Sequence, residues 1–163
     1  MELVVYAALV SIVGGIVLGL MLPMYRAGVE ARISRRINTS GALMMERLLR
    51  ETKDAESIKT VSSTFVAHPG VFVINTTNAS TTGGTMQFSL SDGRGVLILG
   101  DDSTQFLTSS QTQISELTFW HLVSTSSEGV RVNLTISDTG AASSTRVRTF
   151  YGSAILRGSY IAK

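Results

Sequence analysis

Few residues in this chain have the type and spacing that chemistry needs. Cysteine is absent, which removes disulfides, thiolate metal sites and a cysteine nucleophile. His68 belongs to a His68-Pro69-Gly70 turn and His121 sits beside Trp120 on a strand pattern, with nothing in the sequence linking the two. Asp101 and Asp102 are neighbouring carboxylates in a Gly-Asp-Asp-Ser turn, an ordinary place for aspartate. No nucleophile elbow, P-loop, H-E-x-x-H or calcium-loop spacing occurs. The chain therefore reads as no enzyme, with no catalytic residue, metal site, cofactor or small-molecule substrate. Formal charge is only +2 and charged residues make up 16%, so no nucleic-acid partner is implied either. Asn38, Asn75, Asn78 and Asn133 match the glycosylation pattern, which says little in a chain so rich in Ser and Thr.

The one carboxylate in an unusual setting is Glu2, because of the element that follows it. Leu3 to Leu22, LVVYAALVSIVGGIVLGLML, is twenty residues without a formal charge. As a helix it measures about 30 Å, the thickness of a bilayer's hydrocarbon core. It reads as a membrane helix, since a secretory signal has a basic lead, a shorter apolar run and a small-x-small site. Ala7, Ser11, Gly15 and Gly19 fall four apart within it, and the row continues through Pro23, Ala27 and Ala31. Membrane helices are rich in small residues generally, but four in phase read as a face where another helix backbone approaches closely.

The elements that must position these residues follow in order. The chain has 163 residues, enough after the span for one domain with a modest core. Pro23 should kink the helix without ending it, because residues 25–57 contain no further proline and keep a helical apolar spacing. Ile33, Ile37, Gly41, Met44, Leu48, Thr52 and Ala55 form the stripe, widened by Met45 and Leu49. Arg32, Arg35, Arg36, Glu46, Arg47, Arg50, Lys53 and Asp54 occupy the other side as a solvated face, with Glu46 and Arg50 in the favourable i,i+4 order. Gly28 and Gly41 each cost about 1 kcal/mol against Ala. The expectation is one long, slightly bent helix, spanning a membrane over residues 1–24 and amphipathic over 25–57.

Beyond Ile58 the period becomes alternating, and residues 58–163 read as an antiparallel sheet domain. Short runs at 64–66 and 71–74 precede a polar loop from Asn75 to Gly84, then a hairpin at 86–99 and a short strand at 105–107. A polar link at 109–113 leads to three long strands: Glu116 to Val123, Val130 to Ile136, and Thr145 to Leu156. Each of the three has one apolar face, so the sheet should be wet on one side and covered on the other. The only unspent apolar surface upstream is the helical stripe, which places Ile33, Ile37, Met44 and Leu48 against the sheet.

An apolar membrane helix that continues into an amphipathic half laid on an antiparallel sheet resembles the type IV pilins and type II secretion pseudopilins. At the residue level the likeness lies in Met1-Glu2-Leu3-Val4-Val5-Tyr6-Ala7, which looks like the part of the class III signal motif that holds its single glutamate. In that family a glycine and usually Phe-Thr-Leu come first. Those residues and the leader are not in this sequence, and the DNA just before Met1 is where they would be read. Met44 to Glu51, Ala55 to Ile58, the alternation from Val130 to Ile136 and the ending from Arg146 to Leu156 are similar to the J-type minor pseudopilins and related minor pilins.

The resemblance implies an α+β, pilin-like fold and a structural subunit, of minor type, in a prokaryotic pilus or pseudopilus. Its partners would be other subunits, reached through the N-terminal helix with Glu2, Ala7, Ser11, Gly15 and Gly19 as assembly residues, and membrane lipid before assembly. Glu2 would meet the terminal ammonium of a neighbour, or else sit in headgroup water. Lys and Arg follow the span and none precedes it, which alone points the domain toward the cytoplasm. A basic leader would reverse that. The expected location is the cytoplasmic membrane, single-pass, with the Thr/Ser-rich sheet domain outside, then the filament. The other class consistent with the sequence is a membrane-anchored binding domain that never polymerises.

Overall fold

The computed structural model describes residues 2–76, 84–139 and 145–158. Helix α1 (Glu2–Asp54) runs for 53 residues and passes through Pro23. A proline removes one backbone donor, and the apolar and amphipathic halves on either side remain helical. The helix ends short of the expected residue 57 because sheet pairing captures the chain. Glu56 N–H donates to the Asn75 carbonyl at 2.9 Å, and strand β1 (Ser57–Ile58) pairs with Asn75 and Ile74.

The strands after β1 are β2 (Phe72–Asn75), β3 (Thr85–Ser91), β4 (Arg94–Leu99), β5 (Thr104–Phe106), β6 (Thr112–Val123), β7 (Glu128–Thr139) and β8 (Thr145–Ile155). They form two antiparallel sheets, β1-β2-β3-β4-β5 and β6-β7-β8, where the sequence suggested one. The physical reason is that loops occupy the outer edge of β6. Val66 N–H donates to the Phe119 carbonyl at 2.8 Å, Gly70 N–H to the Leu117 carbonyl at 2.9 Å, and Ile114 N–H to the Gly93 carbonyl at 2.7 Å. Between them the His68 ring takes the place of a carbonyl, Nδ1 accepting from Leu117 N–H at 3.0 Å. A covered edge recruits no further strand.

Part of the segment expected to be a polar link belongs to β6, which starts at Thr112, fully buried. The β3–β4 hairpin turns at Asp92-Gly93, both in the left-handed region that suits such a turn (φ 52° and 71°). The polar loop from Asn75 to Gly84, including Asn78, and the loop after Thr139 fall largely outside the described residues.

The core lies between the amphipathic half of α1 and the two sheets. From the strands come Phe72, Phe88 and Phe119, whose rings stack at centroid distances of 5.2–6.4 Å, and the inward residues Val130, Val132, Leu134 and Ile136 of β7. From the helix come Ile33, Ile37, Met44, Met45 and Leu48. The result is an α+β arrangement of one long N-terminal helix on antiparallel sheets.

Candidate functional site

The feature that the domain presents is the first half of α1. The large apolar side chains from Leu3 to Tyr25 are all exposed, and among the described residues none is part of the core. Leu3 is 85% exposed and Val17, among the most covered of them, still 52%. The uncharged run makes this helix long and apolar enough to cross a membrane. Past its first turn its backbone groups are satisfied within the helix, the only way a single segment can sit in hydrocarbon.

The small-residue row is equally open. A Cβ built on Gly15 or Gly19 meets nothing within 4 Å, and neither does one on Gly14 or Gly28. Ala7 and Ser11 are exposed on the same helix, and the Ser11 hydroxyl donates to the Ala7 carbonyl at 2.8 Å. With its donor satisfied inside the helix, Ser11 offers an apolar neighbour no unpaired proton. Glu2 is exposed in the first helical turn, where the positive end of the helix dipole favours a carboxylate.

The second half of α1 holds that surface at a fixed attitude to the domain. Ile33, Ile37, Met44 and Leu48 are 3%, 2%, 0% and 0% exposed. Glycines set how closely the helix lies. A Cβ on Gly41 would strike the Phe150 ring, one on Gly152 of β8 would strike Met45, and one on Gly95 of β4 would come within 2.6 Å of the Met44 sulfur. The helical cost of Gly41 is thus the cost of admitting an aromatic ring.

Polar ties lock the same face. Arg146 donates to Glu30 at 2.6 Å and Arg148 to the Asn38 side-chain oxygen at 2.6 Å, while Arg157 N–H donates to the Lys53 carbonyl at 3.0 Å. Arg36 reaches Asp138, 1% exposed, at 3.3 Å. Arg47 pairs with Glu51 at 2.8 Å, so neither Arg36 nor Arg47 belongs wholly to the solvated face expected of them. Asp138 and Glu51 went unmarked in the sequence because a lone acidic residue signals solvent until its partner is known.

The residues that looked most like chemistry have structural work. His68 closes the edge of β6, and His121 stacks on Phe65 at 5.3 Å and lies 3.7 Å from Glu128. Asp101 caps its own turn. The Ser103 hydroxyl and backbone N–H, the latter donating at 3.1 Å, hold its carboxyl below the usual carboxylate range. Among the described residues no three His, Asp or Glu converge as a metal site would require.

On β8 the face turned away from the helix leaves Val147, Tyr151 and Ile155 exposed at 61%, 68% and 53%, near the Arg131–Trp120 cation–π pair. Comparison with known proteins finds no matching family model, no matching curated protein and no matching solved structure.

Proposed function

We propose that this chain is a structural subunit, of minor type, of a type IV pilus or type II secretion pseudopilus, assembling through its N-terminal helix. The observation that carries the reading is the division of α1. One half is an apolar rod with no partner among the described residues, and the other is fixed to the domain by buried side chains and four polar ties. A tether needs only to reach the membrane, and a flexible link would serve it. A rigid continuous helix transmits the position of the span to the domain, as a subunit packed into a helical filament requires.

In this reading the chain is a single-pass protein of the cytoplasmic membrane with the sheet domain outside, later withdrawn into a filament at the cell surface. Other subunits are its partners, and the span exchanges lipid for neighbouring helices. Close packing between small residues drives that exchange, since lipid gives Leu no reason to leave lipid. Ala7, Ser11, Gly15 and Gly19 supply the approach, and Glu2 is the carboxylate that a neighbour's terminal ammonium neutralises. The exposed Tyr151 face favours a second reading, an extracytoplasmic binding domain on a single anchor.

The test is filament yield in sheared fractions beside monomer level in membranes. Gly15→Leu adds apolar volume that lipid accepts but fills the groove, and Glu2→Ala removes the carboxylate without opposing insertion. Both variants should insert, keep an intact sheet domain and fail to assemble. If both form filaments as the wild type does, the filament reading is wrong, and the anchored binding domain becomes the better account.

A further inference from the structure

A groove of about 360 Å³ lies on α1 where the span ends, lined by Met21, Met24, Tyr25, Gly28, Val29 and Arg32. All six belong to α1, at the spacing of one helical face, and Gly28 is its floor: nothing lies within 4 Å of a Cβ built there. Gly28 and Ile37 are nine residues apart, about two and a half turns, so the floor faces away from the side that Ile37 buries in the domain. The groove is open to whatever surrounds the helix where it leaves the bilayer.

Its chemistry changes along its length. The lower end is apolar, Met21 belonging to the last turn of the uncharged run and Met24 lying just past it. Tyr25 is amphipathic, as residues at the headgroup level are. The upper end is Arg32. Side chains of an α-helix lean toward its N-terminus, here toward the bilayer, so Arg26, Arg32 and Arg35 point back at the headgroups and can snorkel to them. The acids that could neutralise them are already taken: Glu30 by Arg146 at 2.6 Å and Asp138 by Arg36 at 3.3 Å. No ion pair among the described residues involves Arg26, Arg32 or Arg35.

We propose that this groove is a seat for one anionic phospholipid, with a fatty-acyl segment along Met21, Met24 and Gly28 and the phosphate on Arg32. An apolar trough rising from the hydrocarbon, ending in a guanidinium that no ion pair holds and that leans down toward the headgroups, complements that molecule in both shape and charge. A zwitterionic lipid fills the trough equally well but brings its own cation to the arginine cluster. The proposal rests on the membrane span, which the filament subunit and the anchored domain share, and so it does not depend on which of them is right.

The chain contains one tryptophan, which makes a direct test practical. In a Trp120→Phe, Tyr25→Trp background the sole indole reports on the groove. The full chain is reconstituted in phosphatidylcholine vesicles containing phosphatidylglycerol, with bromine on the acyl chains of one lipid or the other as quencher. Brominated phosphatidylglycerol should quench more strongly than its bulk fraction predicts, by about threefold to fivefold, the range of one favourable arginine at an anionic surface.

Arg32→Gln should abolish the preference by removing the phosphate ligand. Gly28→Leu should abolish it by filling the trough, with all three free arginines kept. A preference that survives Gly28→Leu overturns the seat in favour of general attraction to the basic segment. Equal quenching by the two lipids in the Tyr25→Trp background, with Gly28 and Arg32 kept, overturns it outright. Quenching by neither overturns it together with the membrane span itself, whereas undiminished quenching by the phosphatidylcholine leaves the span standing.

Discussion

Leu48 tests the seat of the helix on the sheets, because its side chain is fully buried while Glu46, half a turn away, is exposed. Leu48→Ala removes buried apolar volume and leaves a cavity between elements that the ties at Arg36, Arg146 and Arg148 keep from collapsing. Leucine truncations of this kind cost about 2–5 kcal/mol, and the better helix propensity of Ala returns only a few tenths. At about 3 °C per kcal/mol for a chain of this size, the transition should fall by roughly 6–15 °C. Glu46→Ala should shift it by no more than about 1–2 °C, since exposed substitutions stay within about 0.5 kcal/mol. The assay is thermal unfolding of the full chain in detergent, followed by near-ultraviolet dichroism of Trp120, which sits on the sheet and is blind to the span. Equal shifts for the two variants would refute the packing argument.

Arg36→Ala strips the partner from the buried carboxylate of Asp138 and should cost about 1.5–3 kcal/mol; the Arg36→Ala/Asp138→Ala double variant should lose less than the sum of the singles in denaturant titration. His68→Leu leaves the Leu117 N–H without its acceptor, so it should destabilise by about 1–3 kcal/mol, with faster hydrogen exchange at the Leu117 amide as the local readout. Asp101 titrates below its ordinary value because its charged form accepts hydrogen bonds from Ser103. A depressed folded value means that this contribution is present above the unfolded pKa and is lost as pH falls through the folded one. Ser103→Ala should move the Asp101 titration, followed by carboxyl carbon shifts, upward toward the ordinary value.

What the sequence determined by itself is what a local period can encode. An uncharged run long enough for a bilayer, a stripe at steps of three and four, and alternation along β7 each state which side of an element must be dry. Chains obey such statements because exposing an apolar face costs more than almost any single tertiary preference. The positions of Ile33, Ile37, Met44 and Leu48 were legible for that reason, and so was the division of α1 into a half that needs the domain and a half that does not.

Where two parts of the chain meet was decided only by the tertiary structure. The helix stops at Asp54 because Asn75, about twenty residues on, captures Glu56, and one expected sheet becomes two because the His68 loop takes the edge of β6. Gly41 earns its place from Phe150, and Asp138 its burial from Arg36, each more than a hundred residues away. No window along the sequence contains both members of such a pair. Their energies come from desolvation and contact across the fold, which depend on three-dimensional proximity and leave no periodic trace.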